Sequence, residues 1–406
     1  MRKNWLALLL AVLLAAAGLE SACAVTIDGS ADRGIELKEV SLNEMIDGES
    51  PTTGLPLSER VPGNEDFAGL AVTGRYLPVL VQIDNSDNGS NWRSPWGASY
   101  SDVIYESPLR KEGQTRISIL YSDLVPDDVG PIRSARLGHV WLREEWDAAF
   151  LYHGQQEYAL TNVLEELTRL GVTKRGLLFS GTSGGKDWNK YYYNRQNLAS
   201  PHDKGANAAG ILTLVGDDIV PPNHTWLFTD EPAVGDPATT ITVKWGHKDY
   251  TSVFRYDAEK DCYFRYVGSK KTEAYHDLDT EEPIAFSNVI IQWTDVDWVV
   301  KDAPVTRNTG DGAFFANYST GFFTAQGNAD YFMNGQHMSG AWKRDNMHSR
   351  TVFYDENGEE IQLQRGRTMI VMFPNVERQI HTASRKKPTV ITKKDSGYVD
   401  RSVSYE

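Results

Sequence analysis

Cysteine is nearly missing from this chain: Cys23 and Cys262 are the two among 406 residues. That excludes a disulfide scaffold and a cysteine-built metal site. A surplus of positive charge is missing too. The net charge of −14 argues against nucleic acid as a partner, although it leaves room for a local basic pocket. Nucleotide and metal motifs fail on inspection. Gly181-Thr-Ser-Gly-Gly-Lys186 lacks P-loop spacing and runs into Asp187. Asp277-Leu-Asp279 lacks the glycine and the distal glutamate of a calcium loop, and no histidine pair has zincin spacing. Gly-x-Ser-x-Gly is absent around Ser134. No cofactor and no metal are expected.

What is present reads as an exported protein. Arg2 and Lys3 precede an apolar run from Trp5 to Gly18, too short to span a bilayer comfortably and right for a secretion leader. Two cleavage readings stay open. Ser21-Ala22-Cys23 resembles the end of a lipobox, which would place a diacylglyceryl group on Cys23. Ala22-Cys23-Ala24 instead suits ordinary secretion and would free Val25. Glu20 stands where a lipobox has an aliphatic residue and counts against lipidation; the lipoprotein reading is still preferred. Residues 1–24 are assigned to this leader.

Residues 25–75 read as an acidic flexible tether. Their carboxylates, from Asp28 to Asp66, outnumber Arg33, Lys38, Arg60 and Arg75, and no apolar period is sustained. Residues 76–217 alternate strand and helix patterns. Tyr76–Asp84, Val103–Glu106, Thr115–Tyr121 and Ala148–His153 have strand length. Leu137, Trp141, Leu142 and Trp146 fall on one helical side. Leu160, Val163, Leu164, Leu167 and Leu170 keep a second helical period that stops at Gly171. Pro221-Pro222 marks a linker. Residues 225–375 show strands and turns only, including a hairpin across Val253–Tyr256 and Cys262–Tyr266. A second hairpin is expected from Thr351 to Leu363, with a type I′ turn at Asn357-Gly358. Residues 376–406 read as a mobile basic tail. The fold class is therefore α+β: an N-terminal mixed α/β domain, then a mostly β domain.

Several short blocks, in order, resemble the YerB-like lipoprotein family. They are Pro51-Thr-Thr-Gly-Leu-Pro56, Ile83-Asp84-Asn85, Tyr105-Glu106, Glu112-Gly113-Gln114-Thr115-Arg116 and Ser200-Pro201-His202-Asp203. Gly130-Pro131-Ile132-Arg133-Ser134-Ala135-Arg136 is the most specific, and Asn288-Val289-Ile290, Trp342-Lys343 and Phe353 to Thr368 also fit. The resemblance implies an α/β-type domain followed by a β-rich one, and a family without an assigned reaction. One departure matters: His153-Gly154-Gln155-Gln156 replaces the family's small residues after the histidine, so a pocket there would differ in shape.

Polar groups at strand ends are the natural place for a site in such a sheet. Asp84, Asn85, Glu106, Arg116, Arg133, Ser134, Arg136, His153 and His202 occupy such positions. Arg133 and Arg136, three apart at an expected helix start, are placed to fork onto one carboxylate or phosphate, with Ser134 and the first-turn N–H groups adding donors. The opposing reading pairs Asp84 and Glu106 with these arginines as an internal network. Three functions follow. The preferred one is a membrane-tethered envelope protein that binds an anionic or glycan ligand, or a protein partner. The second is a cell-wall polymer hydrolase using the strand-end carboxylates and His202. The third is a structural partner-binding protein with no small-molecule site.

Overall fold

Long-range strand pairing, not the order of local patterns, organises this chain. The computed structural model describes residues 24–60, 66–86, 94–157, 162–246, 250–267, 273–301, 311–315, 326–382, 389–391 and 400–406. Residues 1–23, Cys23 among them, and Leu160 lie outside the described residues. The N-terminal half contributes β1 (Val25–Thr26), β2 (Val79–Ile83), β3 (Val103–Pro108), β4 (Thr115–Tyr121), β5 (Ala149–Tyr152), β6 (Leu178–Ser180), β7 (Tyr192–Asn194) and β8 (Lys204–Ala206). Its helices include Leu137–Trp146 and Val163–Arg169, the latter capped by the Asn162 side chain, which accepts from the N–H groups of Leu164 and Glu165.

The C-terminal half adds β9 (Leu227–Thr229), β10 (Asp236–Pro237), β11 (Thr240–Lys244), β12 (Thr251–Asp257), β13 (Cys262–Tyr266), β14 (Ala285–Phe286), β15 (Asn288–Lys301) and β16 (Asp311–Phe314). It continues with β17 (Gln326–Met333), β18 (Gln336–Lys343), β19 (Val352–Tyr354), β20 (Gln362–Gln364), β21 (Thr368–Thr382), β22 (Thr389–Ile391) and β23 (Ser402–Tyr405). The result is predominantly β. The large sheet runs β10-β18-β17-β15-β21-β3-β4-β2-β5-β6, with β16, β19 and β22 attached at its sides. A six-stranded sheet runs β1-β23-β11-β12-β13-β14.

Pro221-Pro222 therefore does not separate two cores. β21 lies parallel to β3, Thr368 opposite Val103 and Val371 opposite Glu106, so both halves share one sheet and one hydrophobic cluster. β2 buries every side chain, as an interior strand with a parallel neighbour does.

The acidic stretch after Val25 is not a free tether either. Val25 pairs with Tyr405 in β23, and the Ile27 N–H donates to Val403 O at 2.9 Å. Gly29 lies flat on Trp293, where a Cβ would stand 1.9 Å from the ring. Arg33 donates to Ala329 O at 2.7 Å and pairs with buried Asp330 at 2.8 Å. Further on, Arg60 reaches Asp102 at 2.6 Å and Asp123 at 3.4 Å, both carboxylates being enclosed. Burial, then the charge of Asp102, pushes Asp123 up to about 7 against the pull of Arg60. Composition overlooks these stitches because each joins residues far apart in sequence.

The described parts of the tail are likewise paired into strands. β21 continues through Val376 to Thr382, and Val403 in β23 is fully buried between β1 and β11. Ser402-Val-Ser-Tyr405 alternates with the period of a strand, which the charge of the preceding residues obscures.

The Thr351–Leu363 segment turns as expected but not as a type I′ hairpin. The Gly358 N–H donates to Asp355 O at 3.1 Å, and Gly358 is the left-handed residue at φ 73°. A type I′ turn needs two such residues in succession. Beyond the Tyr354–Glu360 bridge the strands part, β19 joining β18 and β20 joining β9.

Candidate functional site

Three segments meet at the C-terminal end of β2. The extended run 131–135 lies beside that end: the Asp84 N–H donates to Pro131 O and the Arg133 N–H to Gln82 O, each at 2.8 Å. The loop after β5 joins from the other side, with the His153 N–H donating to Arg133 O at 3.1 Å. The turn before β8 closes the group, because the Ile132 N–H donates to Lys204 O at 2.7 Å. These backbone bonds explain why residues so distant in sequence arrive together.

Asp84 is the hub and is buried. Its Oδ2 pairs with His202 Nδ1 and accepts from the Ser86 hydroxyl at 3.0 Å. Its Oδ1 lies 3.5 Å from Arg116 Nη1 and 3.9 Å from Arg133 Nε. Arg133 also donates to Pro201 O at 3.1 Å. The Arg116 side chain is enclosed at 4% exposure, whereas Arg133 and His202 keep 24% and 18%. Solvent therefore reaches the cationic and imidazole side of the cluster, not its carboxylate.

Glu106 belongs to a second, sealed cluster. It pairs with Arg265 of β13 at 3.0 Å and accepts from Thr115 Oγ1 at 2.8 Å, Asn85 Nδ2 at 3.1 Å and Ser252 Oγ at 3.1 Å. Arg265 lies over the Tyr275 ring, 4.7 Å from its centroid. Glu106 and Arg265 are each 1% exposed. An ion pair so placed joins the two halves of the chain, and Asn85 connects it in sequence to Asp84. Among the described residues the two carboxylates are enclosed and do not flank an open cleft, which an acid–base pair acting on a polymer requires.

Arg133 and Arg136 do not fork onto one group through helical spacing. The helix starts at Leu137, and Arg136 caps it with extended backbone at φ −128°. The Arg136 N–H donates to His139 Nδ1 at 3.0 Å, and the Arg136 guanidinium donates to Ala135 O at 3.0 Å. The first turn packs on Phe314, where a Cβ on Gly138 would meet the ring at 2.6 Å. Ser134 donates its hydroxyl to His153 O at 3.2 Å.

The electrostatics of the neighbourhood are positive. Among the described residues, Arg116, Arg133, Arg136 and Lys204 stand against Asp84 and Asp203, in a chain whose net charge is −14. His153 registers this: burial lowers its pKa first, then the charges of Lys204 and Arg133. His139 is held well below its usual range by burial, Arg116 and Arg136. No group of His, Cys, Asp and Glu among the described residues has the makings of a metal site.

Sequence reasoning overlooked Arg265, Ser252, Thr115 and Lys204. Arg265 left one signal: it shares the inward face of β13 with fully buried Tyr263, and a charge on such a face needs a buried partner.

The N-terminal domain of the protein of unknown function DUF3048 matches residues 67–208, and the C-terminal domain of DUF3048 matches residues 241–370. The chain belongs to the DUF3048 family. It is homologous to "Putative lipoprotein YerB" of Bacillus subtilis, 25% identical over 60% of this chain and 66% of that protein, just under two thirds of its length. The crystal structure of the Bacillus subtilis YerB protein has the same fold, with a TM-score of 0.58 at 19% identity over 80% of this chain and 96% of that one. The DUF3048 domains divide the site unevenly. Asp84, Arg116, Arg133, His153 and His202 fall in the N-terminal match, while Arg265 and Ser252 fall in the C-terminal one. The sealed Glu106–Arg265 pair is thus also an interdomain lock.

Proposed function

We propose that this protein is exported, anchored to the membrane through a lipid on Cys23, and binds an anionic envelope component, a phosphate- or carboxylate-bearing glycan, at Arg133 and His202. The name "Putative lipoprotein YerB" carried by the Bacillus subtilis relative and the Ser21-Ala22-Cys23 sequence support the anchor. The observation that carries the binding reading is the half-open Arg133–His202 edge, backed by the buried Asp84 that holds both. Asp84 fixes the imidazole through Nδ1, and Arg133 offers donors suited to a carboxylate or phosphate oxygen.

Cys23→Ser should move the protein from the membrane fraction to the soluble fraction. Wild-type protein found soluble with Val25 at its N-terminus would replace the anchor with ordinary secretion.

Phosphate should raise the melting temperature of the wild type, because a ligand at a hundred times its Kd stabilises by about 2.7 kcal/mol. Arg133→Ala should lose that shift while costing no more than about 1 kcal/mol of stability, its charge being partly solvated. A large loss of stability in Arg133→Ala, with no phosphate shift in the wild type, would leave the cluster with a structural role only.

A further inference from the structure

A lipid on Cys23 would lie two residues from the first backbone-paired position. Val25 is already locked opposite Tyr405, and Ile27, Gly29 and Arg33 are fastened in turn to β23, Trp293 and β17. Two extended residues reach roughly 7 Å, no more than about the thickness of one headgroup layer. The chain therefore has no spacer between anchor and body.

The place where the anchor emerges is also distinctive. The Tyr405 ring packs on His337 at 4.3 Å, and His337 pairs with Asp236 of β10. Two residues before Asp236 stands Val234, 88% exposed, and Val25 beside Tyr405 is 49% exposed. Val25 and Val234 are thus both open on the elements that meet at the Tyr405–His337 contact, and so are Asp236 and Glu406.

Resting on the anchor proposed above, we infer that the folded body stands directly on the membrane, its β1/β23 end and the Val25–Val234 surface against the bilayer of its own anchor. The covalent link and the valines hold this contact. The open carboxylates give no attraction to anionic headgroups, so the surface suits zwitterionic lipid or screened charge. β2, which carries the anion-binding edge, lies seven strands from β10 in the large sheet. At about 4.8 Å per strand that is roughly 34 Å before twist, so the arrangement fixes where the edge sits relative to the bilayer.

Energy transfer to headgroup-labelled lipid tests this. Lipidated protein in phosphatidylcholine vesicles, with Cys262→Ser, carries a donor on Val234→Cys or on Glu165→Cys, the latter exposed beside the opposite edge. Transfer from position 234 should exceed that from 165 several-fold. A flexible 20-residue Gly/Ser insert after Cys23, with a root-mean-square span of roughly 25 Å, should abolish the difference. Equal transfer from both positions in protein that floats with the vesicles overturns this inference alone. Failure to float overturns the anchor, and the inference falls with it.

Discussion

Arg265→Ala is expected to destabilise the protein by on the order of 3–5 kcal/mol, a fall of about 5 °C in melting temperature for a chain of this length. The arginine and Glu106 are sealed together, so removing one leaves a carboxylate whose remaining partners are Thr115, Asn85 and Ser252 hydrogen bonds. Those are donors without charge, and they do not compensate a full negative charge out of water. The double variant Glu106→Leu/Arg265→Met should recover part of the loss, because it removes both charges at once. Differential scanning calorimetry of the singles and the double decides this. Near-native melting of Arg265→Ala would show that water reaches Glu106 and that the interdomain lock is not closed.

Asp330→Ala should be the second most damaging change, at about 3 kcal/mol, and its effect should be felt by residues 24–40, the strap that Arg33 fastens to the body. Asp330 holds Arg33 at 2.8 Å, Trp293 Nε1 at 2.7 Å and His337 Nε2 at 2.9 Å. Losing it strands a half-buried guanidinium and a buried indole N–H. Burial raises the pKa of Asp330, but the hydrogen bond from His337 and the charge of Arg33 outweigh it, so the net shift is downward. A carboxylate depressed in the folded state contributes stability that is present above its unfolded value, about 3.9, and lost as pH falls through the folded one. Acid below about pH 4 should therefore loosen residues 24–40 first in the wild type. In Asp330→Ala the same segment should be loose at neutral pH. Amide exchange along the strap reads both, and equal protection at pH 7 in the two proteins would contradict the assignment.

These two residues also show what the amino-acid order conceals. Asp330 sits in an ordinary β-strand pattern, and its partner Arg33 lies in a stretch whose acidity and missing period suggest disorder. Disorder inferred from composition assumes that a segment must stabilise itself. Here the segment is stabilised by surfaces supplied by β17, β18 and β23, which no local window contains. The same holds for the seam of β3 with β21, whose partners are separated by most of the chain.

The candidate site divides along the same line. Strand ends, Gly130-Pro131 and the positions of Asp84, Arg116, Arg133, His153 and His202 were legible, because an apolar run of strand length ending in polar residues shows itself locally. Their sorting into an open edge and a sealed pair was not legible. Whether a charge meets water depends on what covers it, and Glu106 is covered by β12 and β13, nearly 150 residues onward.

By itself, the order of residues determined most strands and helices of the N-terminal half and the β character of the C-terminal half, since each rests on periodicity or composition within a short window. Only the tertiary structure decided that the two halves are one sheet, that the segment after Val25 is bound rather than free, and that Glu106 belongs to Arg265 while Asp84 belongs to His202. Those are facts about which distant surfaces meet, and burial and charge pairing take their energy from that meeting.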